Sequence, residues 1–210
     1  MEFMSGYYRQ KEDSTALLLQ QYVCHGVPVC LGCVCGGKDS AAGMAGGLFT
    51  GLLLRAFRGA DLSQAVEKPS RFLKKMEKRI YRCRADCDVP TAFWMAGILC
   101  AGESFLLFAE GKVKISLCNI GFGRPSLHEI RAGDGERRMR MLRGSMEPGI
   151  GILLASENFY DHIPRSDMQD CLSVKDINDS GQTRKRIREL GEMAEQRGGR
   201  GMGALLLEVR

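Results

Sequence analysis

Residues 27–40 constrain this chain more than any other stretch. An unbroken apolar run, Val27-Pro-Val-Cys-Leu-Gly-Cys-Val34, leads into Cys35-Gly36-Gly37-Lys38-Asp39-Ser40, and an Ala/Gly-rich segment follows from Ala41 to Phe57. The order predicts a buried strand, a tight glycine turn and a closely packed helix, an arrangement that lets backbone approach a ligand. Asp39-Ser40 has the chemistry of a helix N-cap, so the helix is expected over Ser40–Arg58.

Around this unit the pattern alternates between strand and helix. Ala16–Gln21 and Val27–Cys35 read as paired strands with Cys24-His25-Gly26 as their turn. Leu62–Arg84 reads as helical, broken at Pro69. Within it, Phe72, Leu73, Met76 and Ile80 share one face and the basic residues the other. Thr91–Cys100, Ser104–Ala109 and Lys112–Asn119 read as strands joined by hairpins at Ala101-Gly102-Glu103 and Glu110-Gly111-Lys112. Residues 120–138 have no period and read as loop. Strands are expected at Arg140–Arg143, Ile150–Ser156 and Gly203–Val209. Helices are expected at Ser166–Leu172, capped by Ser166, and at Gly181–Gln196. Strands grouped around two helical blocks predict an α+β sandwich, and 210 residues suit one domain, 1–210.

Composition narrows the function classes. Nine cysteines sit mostly in apolar runs and no leader-like apolar segment opens the sequence, so buried thiols in a reducing cytoplasm are expected rather than disulfides. The uncharged runs Ser40–Leu54 and Val89–Gly102 fall short of the roughly 18 residues a spanning helix needs, so no membrane insertion is expected. The net charge of +5 is concentrated in Arg71–Arg84 and Arg184–Arg200. The first cluster reads as a solvated helix face, with a phosphate or acidic-partner patch as the alternative. No interleaved aromatics accompany it, so nucleic acid is not an expected partner. Cys30-x₂-Cys33 has half-site zinc spacing without a second half. On a strand, Cys33 and Cys35 share one face and Cys30 takes the other, which reads as packing.

The strand–turn–helix of residues 27–57 resembles that of the metal-dependent, type 2C serine/threonine protein phosphatases, in which Val-Cys-Asp-Gly-Met-Gly-Gly precedes a small-residue helix. Four further landmarks follow the family's order. Glu12-Asp13-Ser14 resembles its Asn-Glu-Asp, and Asp13 then corresponds to an acidic metal-site residue, with Glu12 beside it. Ala101-Gly102-Glu103-Ser104-Phe105 resembles its Gly-Asp-Ser-Arg hairpin. Leu153-Leu-Ala-Ser156-Glu157-Asn158-Phe159 resembles Leu-Cys-Ser-Asp-Gly-Phe, whose Asp is a metal ligand. Gly199-Arg200-Gly201-Met202-Gly203 resembles Asp-Asn-Met-Ser. Arg9 corresponds to the family's phosphate-contacting Arg at a shortened spacing.

The resemblance implies two packed antiparallel sheets flanked by helices. It also implies a reaction in which two Mg²⁺ or Mn²⁺ ions activate a water for attack on phosphorus. Such ions need carboxylates, and here two matched positions have lost theirs: Gly36 has no side chain and Arg200 reverses the charge. A unit cation 4 Å from a unit charge costs roughly 4 kcal/mol at an effective dielectric of about 20, doubled for a divalent ion. The remnant donors are Asp13, Glu12 and Glu157, with Asp39 if the loop shifts. The expectation is a pseudophosphatase with no cofactor, binding a signalling partner such as a kinase or phosphoprotein in a bacterial cytoplasm. An ion pair from Arg200 to Asp13 or Glu157 would fill the vacated metal space. The alternatives are a weak Mn- or Mg-dependent phosphatase using Asp13, Glu157 and Asp39, and an assembly subunit docking through Arg71–Arg84.

Overall fold

In the computed structural model the described residues are 2–10, 15–37, 39–90, 92–119, 127–131, 138–172 and 180–209. The strands are β1 (Phe3–Arg9), β2 (Thr15–Cys24), β3 (Val27–Gly36), β4 (Trp94–Ala101), β5 (Ser104–Glu110), β6 (Val113–Asn119), β7 (Leu127–Arg131), β8 (Arg140–Ser145), β9 (Ile150–Ser156) and β10 (Gly203–Val209). The helices are α1 (Ser40–Arg58), α2 (Ser63–Glu67), α3 (Pro69–Ala85), α4 (Glu157–Asp161), α5 (Arg165–Leu172) and α6 (Ser180–Gln196).

Two five-stranded sheets result, ordered β1-β10-β9-β6-β7 and β2-β3-β4-β5-β8, with antiparallel pairing throughout. This is the expected α+β architecture of packed antiparallel sheets flanked by helices. The sheets meet through Cys30, Val34, Ile98 and Cys100 on one side and Ile152, Leu154, Leu205 and Leu207 on the other, all fully buried. They approach closely where β3 carries Gly32, since a Cβ there would lie 2.4 Å from Leu205 Cδ2.

On the outer face of the second sheet, Phe49, Leu53 and Phe57 of α1 and Phe72, Leu73, Met76 and Ile80 of α3 form a second core with Cys33 and Cys35. Each such side chain contributes about 1.5–3 kcal/mol on burial. The thiols divide between the two faces as their alternation predicts. Over the first sheet, Phe159, Leu172, Ile187, Leu190 and Ala194 from α4, α5 and α6 cover Leu153 and Leu206.

Local chemistry explains the boundaries. The β2–β3 hairpin turns on His25 (φ 49°) and Gly26 (φ 77°), the left-handed pair that suits a two-residue turn. Pro69 opens α3 at its first turn, where its missing N–H costs nothing. Asp39 caps α1, its Oδ1 accepting from the Ala42 N–H at 2.7 Å.

Several expectations are corrected. β1 was not anticipated, because its first four residues (Phe3, Met4, Ser5, Gly6) are buried on both faces and alternation appears only from Tyr7 to Arg9. Strand β7 lies within the stretch read as loop. Ser166 lies inside α5 rather than capping it, because the helix already begins at Arg165. Helix α1 spans Ser40–Arg58 as expected, and so is longer than the uncharged run Ser40–Leu54 weighed as a membrane span. At 19 residues it is long and apolar enough to cross a membrane by length and composition, with a third of that window buried here.

Candidate functional site

Both sheets end their strands at one edge of the sandwich. Arg9 of β1 pairs with Gly203 of β10. Gly36 of β3 lies opposite Thr15 of β2 and Trp94 of β4. Ser156 of β9 lies opposite Val113 of β6. Leaving these ends are Gly37 and Asp39, Gly111-Lys112, Glu157-Asn158 and 197–202, and they form one cluster.

Short contacts tie the cluster together. A Cβ at Gly201 would lie 3.8 Å from the Gly37 carbonyl oxygen, and Gly201 takes φ +65°. Asn158 donates its side-chain amide to the Arg200 carbonyl. Gln10 Nε2 donates to the Gly199 carbonyl at 3.3 Å. The Glu157 N–H donates to the Lys112 carbonyl at 2.9 Å. Gly37 is closed to any side chain: a Cβ would lie 2.2 Å from Ala42 Cβ and 2.8 Å from the Ala92 carbonyl oxygen.

The structure therefore brings together Arg9, Gly36, Asp39, Glu157 and Arg200, which the sequence places far apart. Glu12 and Asp13 lie outside the described residues. The Gly102-Glu103 turn goes to the opposite edge: the Gly102 N–H donates to the Pro28 carbonyl at 2.9 Å, and the Met146 N–H to the Glu103 carbonyl at 2.7 Å. The hairpin at the cluster is Gly111-Lys112, with Gly111 at φ +76°. Sequence reasoning recognised that hairpin but not its neighbourhood. It missed Lys112 and the Asn158–Arg200 link, which only the folded register reveals.

The side-chain chemistry of the cluster is sparse in donors. Asp39 is exposed and spends Oδ1 on its cap. Glu157 is half-buried, and among the described residues no ion pair engages it. Arg9, Lys112 and Arg200 are exposed cations. The ion pair expected between Arg200 and Glu157 is not formed; its other expected partner, Asp13, lies outside the described residues. Among the described residues no three His, Cys, Asp or Glu side chains are placed to hold a metal. That described donor set does not fit a two-ion centre: one half-buried carboxylate and one capping carboxylate stand among three cations.

Beside the cluster, β1 and α6 flank an open groove of about 740 Å³ lined by Tyr7, Tyr8, Arg9, Gln10, Arg188, Glu192 and Glu195. Tyr8 donates its hydroxyl to Glu195, and its ring lies against Gly191, where a Cβ would be 2.1 Å from the ring. Arg9 and Arg188 are exposed and form no ion pair among the described residues.

Arg79 and Arg84 of the basic helix α3 are engaged within the chain. Arg84 grips the buried Glu110 through two hydrogen bonds of 2.7 and 2.6 Å, Glu77 pairs with Arg143, and Arg79 caps the Ala56 carbonyl at 2.8 Å.

This architecture is that of the type 2C, or PPM, serine/threonine phosphatases, and the chain has their fold. PppA, a key regulatory component of T6SS in Pseudomonas aeruginosa, superposes with a TM-score of 0.64 at 16% identity, covering 100% of this chain and 99% of that one. The S. agalactiae serine/threonine phosphatase superposes at 0.63 with 13% identity over 100% of both chains. The catalytic domain of the serine/threonine phosphatase PstP, solved with two manganese ions, does so at 0.62 with 14% identity over 98% of both. No family model and no curated protein matches by sequence.

Proposed function

We propose that this chain is a pseudophosphatase: a type 2C phosphatase fold that binds a phosphorylated signalling protein without hydrolysing it. The observation that supports this reading is the composition of the strand-end cluster. Gly36 and Gly37 contribute no side chain there, and Arg9, Lys112 and Arg200 outnumber the described carboxylates. Cations there disfavour divalent ions and favour a phosphate group. In the neighbouring groove Arg9 and Arg188 stand beside Glu192 and Glu195, so the preference rests on the cluster itself. The fold likeness to PppA fits a regulatory role. A reducing bacterial cytoplasm is part of the proposal, supported by the free thiols of the described cysteines.

Two measurements test it. Purified protein with Mn²⁺ and an aryl phosphate or phosphopeptide gives no turnover; turnover that disappears in Asp13→Ala overturns the proposal. Phosphoserine peptides bind more tightly than their unphosphorylated forms, and Arg9→Ala weakens them selectively. Equal affinity for both forms overturns the binding role.

A weakly active Mn- or Mg-dependent phosphatase using Asp13, Glu157 and Asp39 is the second reading. One observation favours it: Arg200 is exposed and leaves Glu157 without an ion-pair partner among the described residues. In that case Mn²⁺ binds the wild type at micromolar levels by calorimetry, and Glu157→Gln abolishes the binding.

A further inference from the structure

Helix α1 turns Phe49, Leu53 and Phe57 into the core, yet its outer face is not that of a solvated helix. Met44 is 71% exposed and Leu48 52% exposed. Between and beyond them lie Gly47 and Gly51, where an added Cβ would meet nothing within 4 Å. Exposed glycines weaken a helix, and these two fill no close contact within the chain. Two large apolar side chains beside two open grooves form a surface shaped for another helix at short range.

The surface is complementary to itself. In an antiparallel pair centred between Gly47 and Leu48, Leu48 meets the other copy's Gly47, Met44 meets its Gly51, and Ser40 meets its Arg55. The charges agree with that register. Asp39 is exposed at one end with Oδ2 left over from its cap, while Arg55 and Arg58, exposed at the other end, have no ion-pair partner among the described residues. Antiparallel alignment also sets the two helix dipoles in their favourable arrangement. A lipid surface would instead suit a helix with basic residues along its polar flank. Here the helix's own charges, Arg55 and Arg58, are confined to its C-terminal end, and the Asp39 carboxylate caps the other.

We infer that α1 is the self-association face of this protein, docking antiparallel on α1 of a second copy across a two-fold axis. Such an isologous contact repeats each pair twice. The patch is one helix wide and smaller than a standard interface, so the dimer is weak and forms at micromolar concentrations or above.

Sedimentation velocity on the full chain, from sub-micromolar to hundreds of micromolar, reads it directly. Wild type shifts from monomer to dimer across that range. Leu48→Glu stays monomeric. Gly51→Leu also stays monomeric while keeping its far-ultraviolet spectrum and thermal midpoint, because the monomer has open space at that position. Arg55→Glu weakens the dimer about tenfold, and adding Ser40→Lys restores it by placing a cation opposite the new carboxylate. A wild type that is monomeric throughout overturns the inference, as does a dimer that survives both Leu48→Glu and Gly51→Leu. Monomeric wild type that sediments with phosphatidylglycerol vesicles, and loses that property in Leu48→Glu, gives the face to lipid instead.

Discussion

Arg186→Met should expose the cost of burying a charge without its partner. Arg186 of α6 and Glu208 of β10 are 4% and 1% exposed, and Nη2 donates to Oε2 at 2.6 Å. Thr183 donates its hydroxyl to the same oxygen. The remaining donors and acceptor, Arg186 Nε and Nη1 and Glu208 Oε1, have no hydrogen-bond partner among the described residues. Methionine keeps most of the arginine stem but strands a carboxylate held by one hydroxyl. Removing one member of such a pair costs about 3–5 kcal/mol, a large part of the 5–15 kcal/mol that holds a typical domain together. The double variant Arg186→Met/Glu208→Leu removes both charges and the unmet hydrogen bonds with them. It should return to within about 1 kcal/mol of wild type or exceed it. Urea unfolding followed by circular dichroism measures all three proteins. A single variant that loses less than about 1 kcal/mol, or a double variant no better than the single, refutes the reasoning.

Three further outcomes are expected. Asp39→Ala loses about 1 kcal/mol as a helix cap while Asp39→Asn stays near wild type in urea unfolding; a drop in Mn²⁺ affinity in the asparagine variant would make Asp39 a ligand instead. Burial pushes the Cys30 thiol from 9.0 up to about 12. The folded state therefore keeps a proton that the unfolded chain releases, so the stabilisation is intact below pH 9 and is lost between pH 9 and 12, amounting to about 4 kcal/mol at the top of that window. Cys30→Ala should flatten the alkaline fall in thermal midpoint, and an unchanged fall contradicts the assignment. Gly97→Ala sets a methyl 2.0 Å from the Phe108 ring and destabilises by about 1–3 kcal/mol, whereas Gly47→Ala, with open space, stabilises dilute protein by about 1 kcal/mol; chemical denaturation ranks the two.

What could be read from the sequence depended on how local its cause was. Helix α1 was legible end to end because Asp39 caps it and an apolar stripe runs through it. Strand β9 was legible because its span from Gly151 to Ser156 is buried, and α3 because Phe72, Leu73, Met76 and Ile80 recur at helical spacing. Strand β1 was not legible: Gly6 packs under the Thr183 carbonyl of α6, and that contact has no trace near residue 6. The site was legible only in part. Family likeness pointed to Gly36, Glu157 and Arg200, and the fold gathers them at one edge. Likeness also pointed to Gly102-Glu103, which the register carries to the far edge, while Lys112 took the near one. Hairpins with similar turn chemistry alternate between the two edges of a meander, so composition alone does not say which edge a turn occupies.

The strand-end cluster also bears on how such a protein changes over generations. At Arg200 and Glu157 its contacts use those residues' backbone carbonyl and amide, which a different side chain at either position would still supply. The sandwich core, by contrast, draws on Leu, Ile, Val and Cys side chains well inside the sheets. Selection on foldedness therefore holds Gly37, Gly111 and Gly201 but has little grip on the side chains of Arg9, Glu157 and Arg200. A lineage can discard its ligand set there, or reacquire one, by drift through a few neutral substitutions while remaining folded throughout.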